Sequence, residues 1–265
     1  MAYLEWGDPT NPEVLICAHG LTRCARDFDN LARALCTRYR VVCPDMVGRG
    51  DSGWLADPVF YAVPQYVADM VTLIARLDVE RVHWVGTSLG GLVGMALAAQ
   101  KDSPVTKLAL NEAGAVVAHA SLERIGQYLG TDPRFPSIKA AEKVVRAVSA
   151  PFGPHTDAEW RFLTEVVLRK NPDGTWRFHY DPRIAVAYRG QIPEGDIVLW
   201  DTYDAIRCPT LLIRGAQSDL LSRETAEEMT RRGPQAKLVE LPGIGHAPTL
   251  LHDDQIAIVR EFLFS

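Results

Sequence analysis

Arg81-Val82-His83-Trp84-Val85-Gly86-Thr87-Ser88-Leu89-Gly90-Gly91-Leu92-Val93-Gly94-Met95-Ala96 is the stretch whose reading decides the fold. Its first five residues read as a short buried strand, and the apolar run from Leu92 reads as a helix rich in good helix formers. Between them lies a serine with a glycine two residues to either side, the Gly-x-Ser-x-Gly pattern of a nucleophile elbow. Such a turn holds its serine in a strained conformation, and Gly86 and Gly90 supply the room that a Cβ would fill. The Ser88 hydroxyl is then expected at the top of a sheet. The Leu89 amide, at the helix start, would face negative charge forming beside it. The same pentapeptide also suits a glycine-rich helix start packed on a sheet with no chemistry at all, so the surrounding chain has to decide.

Upstream of this turn, Glu13-Val14-Leu15-Ile16-Cys17-Ala18 is a continuous apolar strand signal that ends at His19-Gly20-Leu21-Thr22. An amphipathic helix is expected over about residues 27–36, a second buried strand at Arg40-Val41-Val42-Cys43-Pro44, and another helix over about 64–77. Downstream, a fourth strand reads Val105-Thr106-Lys107-Leu108-Ala109-Leu110-Asn111. Strands without polar alternation, separated by helices, predict an α/β protein with a mostly parallel, doubly wound sheet. Ligands bind at the carboxyl ends of such strands, where His19-Gly20-Leu21, the Asp45 loop and Ser88 all fall.

After Glu112 the rhythm changes. Helical patterns follow, on Leu122, Ile125 and Leu129, on Ile138, Ala141, Val144, Val145 and Val148, and on Trp160, Leu163, Val166 and Val167. The last opens with Thr156-Asp157-Ala158-Glu159, the spacing of a capping box. Asn171-Pro172-Asp173-Gly174 is a turn, and Trp176, Phe178 and Tyr180 alternate as in an extended segment. Residues 113–200 are therefore expected to form a mainly helical cap, or lid, over a core of residues 1–112 and 201–265. The α/β rhythm resumes with a strand at Cys208-Pro209-Thr210-Leu211-Leu212-Ile213-Arg214, a helix over about 222–232, a strand at Lys237-Leu238-Val239-Glu240-Leu241, and a last amphipathic helix.

These motifs together resemble the α/β-hydrolase fold family, in its lid-bearing branch of esterases, lactonases and meta-cleavage-product hydrolases. The resemblance rests on His19-Gly20, Asp45-x-x-Gly48-x-Gly50-x-Ser52, the elbow at Ser88, Arg214-Gly215-x-x-Ser218-Asp219 and Gly245-His246, and it spans essentially the whole chain. It implies a Ser-Asp-His order of catalytic groups. Ser88 would be the nucleophile, His246 its general base, and Asp219 the carboxylate that orients the imidazole. The oxyanion would meet the backbone amides of Leu89 and, by the resemblance, Leu21. His19 reads as a residue that holds its loop by hydrogen bonds and His83 as a core residue. Glu112, at a strand end where some relatives of this fold carry their carboxylate, reads as a hinge or loop residue.

Composition bounds the function. The 265 residues are 47% hydrophobic and 23% charged with a formal charge of −5, a balance unsuited to nucleic acid or an anionic membrane as main partner. Five cysteines without Cys-x-x-Cys spacing, the absence of a signal-like start and the lack of a bilayer-length apolar segment predict a cytoplasmic protein with reduced thiols. No spacing suggests a metal, and no cofactor is expected. Gly48-Arg49-Gly50-Asp51-Ser52-Gly53 satisfies a dinucleotide fingerprint literally, but Trp54-Leu55-Ala56-Asp57-Pro58 does not open the phosphate-binding helix which that motif requires. The Arg49-Gly50-Asp51 tripeptide carries adhesion only in extracellular settings. Arg23 and Arg26, just after Leu21, are placed where they could meet a substrate carboxylate, although charged residues near a helix start are usually solvated. The expected activity is hydrolysis of a small or medium carboxylic ester, lactone or thioester through an acyl-enzyme. Carbon–carbon bond hydrolysis of ring-cleavage products is the alternative reaction, and a small-ligand receptor the alternative of another class.

Overall fold

The computed structural model describes residues 1–265. The chain begins with strand β1 (Tyr3–Trp6), β2 (Val14–Ala18), helix α1 (Asp29–Leu35), β3 (Arg40–Pro44), α2 (Val63–Arg76), β4 (Val82–Thr87), α3 (Leu89–Ala98) and β5 (Val105–Asn111). Between the fifth and sixth long strands come β6 (Val116–Val117), α4 (His119–Tyr128), α5 (Ile138–Val148), α6 (Asp157–Glu165), β7 (Leu168–Lys170), β8 (Trp176–Phe178), α7 (Ile184–Gln191), β9 (Ile197–Val198) and α8 (Trp200–Ala205). The chain closes with β10 (Thr210–Gly215), α9 (Arg223–Met229), β11 (Lys237–Leu241) and α10 (Asp253–Phe264).

Seven strands form one sheet in the order β1-β3-β2-β4-β5-β10-β11. Every pairing is parallel except that of β1 with β3. The edge strand β1 escapes the sequence reading because Tyr3, Leu4, Glu5 and Trp6 are only half-buried and carry no apolar run. All five residues of β2 are buried, and alternate ones enter opposite cores. Ile16 and Ala18 pack with Trp84, Leu108 and the apolar faces of α2 and α3. Leu15 and Cys17 pack with Val85, Ala109 and the buried faces of α1 and α10. Burial on both faces explains why these strands read as unbroken apolar runs.

The helical readings between Glu112 and Trp200 fall on α4, α5 and α6. The Thr156 capping box is present, with the Glu159 side chain returning to the Thr156 amide at 2.6 Å. The Asn171 turn closes the β7–β8 hairpin, whose second strand contains Trp176 and Phe178. These elements lie over the carboxyl end of the sheet, since side chains of α4 and α5 share cavity walls with Ser88. All five cysteines are free, and three of them are buried. No helix is long and apolar enough to cross a membrane.

Candidate active site

Ser88 sits between β4 and α3 with φ 52° and ψ −115°, the strained geometry that its flanking glycines predict. A Cβ on Gly86 would run into the carbonyl of Gly90, and one on Gly90 into the carbonyl of Ala18. The turn can therefore form only with glycine at both places. Ser88 N–H donates to the Asn111 carbonyl at 2.9 Å, which ties the elbow to the end of β5.

The loop after β11 carries His246 to this serine. Its Nε2 lies 2.9 Å from Ser88 Oγ, and its Nδ1 lies 3.1 Å from Glu112 Oε2. The carboxylate at the imidazole is thus Glu112 and not Asp219, which corrects both the orienting role expected of Asp219 and the hinge reading of Glu112. The Asp219 carboxylate is half-exposed and turned to the cap, where Arg124 Nε and Nη2 donate to it at 2.9 and 3.1 Å. Ser121 Oγ holds the Asp219 carbonyl at 2.7 Å, fastening α4 to the same loop.

Glu112 is fully buried, and three donors surround it. Gly215 N–H reaches Oε1 at 2.5 Å, Ser218 Oγ–H reaches Oε2 at 2.6 Å, and the third is the imidazole Nδ1–H. Burying a carboxylate is costly unless hydrogen bonds replace its lost hydration, and these three contacts do so. The sheet explains the arrangement: β5 and β10 are neighbours, with Ile213 opposite Asn111, so Glu112 emerges directly beside Gly215. Glu112 also has φ 56°, so Ser88 and the buried carboxylate both occupy the positive-φ region that non-glycine residues avoid.

The Leu21 and Leu89 amides make no hydrogen bond inside the protein, and both residues line a cavity that includes Ser88. His19 shapes the Leu21 loop. Its Nδ1–H donates to the Gly20 carbonyl at 2.7 Å and its Nε2 accepts from Met46 N–H at 3.0 Å. Burial drives its pKa down to about 3, so it stays neutral in that double role. Arg49, fully buried, holds the same loop: its Nε donates to the Leu21 carbonyl at 2.8 Å, and its Nη1 to Val47 and the Tyr66 hydroxyl. Its burial also excludes any adhesive use of Arg49-Gly50-Asp51. The Asp45 motif is likewise structural, its carboxylate accepting from Ala25 and Asp51 amides while Ser52 Oγ–H caps its carbonyl. Nothing local in the chain marks Arg49 or Ser218 for these tasks, although Ser218 lies inside the Arg214-Gly215-x-x-Ser218-Asp219 motif.

Two cavities meet at Ser88. One, of about 210 Å³, is walled by residues including Arg23, Arg124, Tyr128, Phe178 and His246; the other, of about 150 Å³, is almost wholly apolar and includes Leu89, Leu92, Tyr188 and Ile192.

Residues 15–259 match the alpha/beta hydrolase family. The chain belongs to that family. It is 54% identical to a 3-hydroxybutyrate-oligomer hydrolase of Cupriavidus necator over 99% of this chain and 92% of the relative. An Escherichia coli esterase is 26% identical over 89% of this chain and 87% of its own length. Among solved structures, an alpha/beta hydrolase of Novosphingobium aromaticivorans is 38% identical, superposes with a TM-score of 0.89, and is matched over 99% of this chain and 93% of that one.

Proposed function

We propose that this alpha/beta hydrolase is a serine hydrolase of carboxylic esters, with Ser88 as nucleophile, His246 as base and Glu112 as the orienting carboxylate. The observation that carries the reading is the imidazole of His246, held between Ser88 Oγ at 2.9 Å and Glu112 Oε2 at 3.1 Å. Two relatives named for ester cleavage support it, and the one named for 3-hydroxybutyrate oligomers favours short aliphatic hydroxy-acid oligoesters as the substrate class.

The chemistry proceeds in two halves. Ser88 Oγ attacks the ester carbonyl carbon as its proton passes to His246 Nε2, and the resulting oxyanion accepts hydrogen bonds from the free Leu21 and Leu89 amides. The tetrahedral intermediate collapses by breaking the bond to the alcohol oxygen, which receives the proton from Nε2 and leaves. Water then gives a proton to Nε2 and its oxygen to the acyl carbon. Collapse of the second intermediate returns Ser88 Oγ to its protonated state and releases the acid. Throughout, Nδ1–H donates to Glu112, which fixes the tautomer that leaves Nε2 free to accept a proton.

Hydrolysis of p-nitrophenyl esters of increasing acyl length and of the 3-hydroxybutyrate dimer tests the reading, with Ser88→Ala as control. Turnover that vanishes in the variant is expected. Full activity in Ser88→Ala would end the proposal.

A further inference from the structure

We propose that the enzyme recognises the free carboxylate of its substrate through Arg23 and Arg124, and that the scissile ester is the one whose alcohol half carries that carboxylate. This rests on the ester-hydrolase reading and adds to it a direction along the substrate and an anchor at one end.

The direction comes from the two cavities. A departing alcohol oxygen must take its proton from His246 Nε2, so the alcohol half lies on the side of the imidazole. His246 lines the larger cavity and not the smaller one. The Leu89 amide, which would meet the oxyanion, belongs to the smaller cavity, where 16 of the 19 lining residues are hydrophobic. The acyl half therefore occupies the apolar cavity and the alcohol half the larger one.

The anchor comes from the charges on the walls. The larger cavity is lined by Arg23 and Arg124 and by no aspartate or glutamate. The apolar cavity has no cation, and its one carboxylate, Glu112, is committed to His246. Each arginine is fixed from behind. Arg23 Nε and Nη2 pair with Asp27 at 2.8 and 2.6 Å, while its Nη1 donates to nothing in the protein. The Arg23 side chain is only 12% exposed, so its rotamer is set before a ligand arrives. Arg124 offers the same edge, Nε and Nη2, to Asp219, with Tyr128 beside it on the cavity wall. Carboxylates that hold a guanidinium by one edge and leave the other to the cavity pre-organise it for a bidentate or bridging anion. Arg26 does not take part: it pairs with Asp29 and lines neither cavity. Asp219, removed from the imidazole, here acquires a task in keeping with its place.

Three esters decide the matter: the butyryl ester of 3-hydroxybutyric acid, the same ester of 3-hydroxybutyramide, and monobutyl succinate. The first carries the charge on the alcohol half, the second carries none, and the third carries it on the acyl half. The expected result is a kcat/KM for the first about tenfold above the second, expressed mainly in KM, with the third poorest. Arg124→Gln, at a side chain 39% exposed, should shrink that tenfold preference to about twofold, and Arg23→Gln should do likewise. Equal rates for acid and amide, a preference for monobutyl succinate, or a preference unmoved in Arg124→Gln would each overturn the anchor while leaving ester hydrolysis standing. Should Arg23→Gln fail to fold, Arg124→Gln carries the test alone. No turnover of any of the three would overturn both readings.

Discussion

Replacing Glu112 by glutamine changes one atom of a buried side chain and should nearly abolish turnover. In the folded protein Oε1 accepts from Gly215 N–H at 2.5 Å, and Oε2 accepts from Ser218 Oγ–H at 2.6 Å and faces His246 Nδ1 at 3.1 Å. A glutamine must keep its oxygen on the Gly215 amide, because a main-chain donor cannot turn away. Its NH2 then occupies the place of Oε2, where Ser218 can rotate to accept from it. His246 can accept from that NH2 only as the tautomer protonated on Nε2, which presents a hydrogen to Ser88 Oγ and cannot act as a base. Wrong-tautomer substitutions of this kind cost about a thousandfold to ten-thousandfold in kcat, roughly 4–5.5 kcal/mol of transition-state stabilisation. Asp219→Asn is the informative partner. Its carboxylate is half-exposed on Arg124, so on an uncharged p-nitrophenyl ester its loss should cost no more than about fivefold. The assay is p-nitrophenyl butyrate hydrolysis by both variants at matched concentration, with circular dichroism to confirm that each is folded. If Glu112→Gln keeps more than about a tenth of the activity, or Asp219→Asn loses as much as Glu112→Gln, the assignment of the buried carboxylate is refuted.

Ser218→Ala removes one of the donors on Glu112 and should lower kcat by about tenfold with KM unchanged, while Ser218→Thr, which keeps the hydroxyl, restores most of it. Arg49→Lys cannot reach the Leu21 and Val47 carbonyls and the Tyr66 hydroxyl together; denaturant titration should show a loss of about 2–4 kcal/mol, together with a lower kcat from the displaced Leu21 loop. His19 has a folded pKa of about 3 against an ordinary 6.5, so the unfolded chain binds its proton first as the pH falls. Its contribution to stability is complete above pH 6.5 and should decline below that by up to about 1.4 kcal/mol per pH unit, measured by urea unfolding from pH 7 to 4.5, with a shallower decline in His19→Asn.

Much of this molecule is legible in the chain because its physics is local. Gly86-x-Ser88-x-Gly90 fixes a turn, the buried strands announce themselves as apolar runs, and the Thr156 cap needs only residues 156–159. What escaped depends on contacts between distant segments. Arg49 stands in a glycine-rich loop and looks solvated, yet the Leu21 carbonyl of another loop and a tyrosine from α2 draw it fully inside. β1 joins the sheet through main-chain pairing with β3, to which half-buried side chains add little that a pattern could reveal.

The displaced carboxylate is the instructive case. β5 and β10 lie side by side, so an acidic residue just beyond either strand end arrives near the same imidazole, and strand patterns cannot choose between Glu112 and Asp219. Three contacts bear on the choice, and none is local. The Gly215 amide and Ser218 hydroxyl point at Glu112, across 103 and 106 residues of chain, and compensate its burial. Arg124, across 95 residues and on a cap helix, holds Asp219 outside. The motif around Asp219 is intact, yet its serine serves the carboxylate of the neighbouring strand and its aspartate serves the cap. A residue that matches a catalytic pattern is therefore placed by its partners: the buried carboxylate with three donors faces the imidazole, and the half-exposed one, paired with an arginine, stays on the cap side.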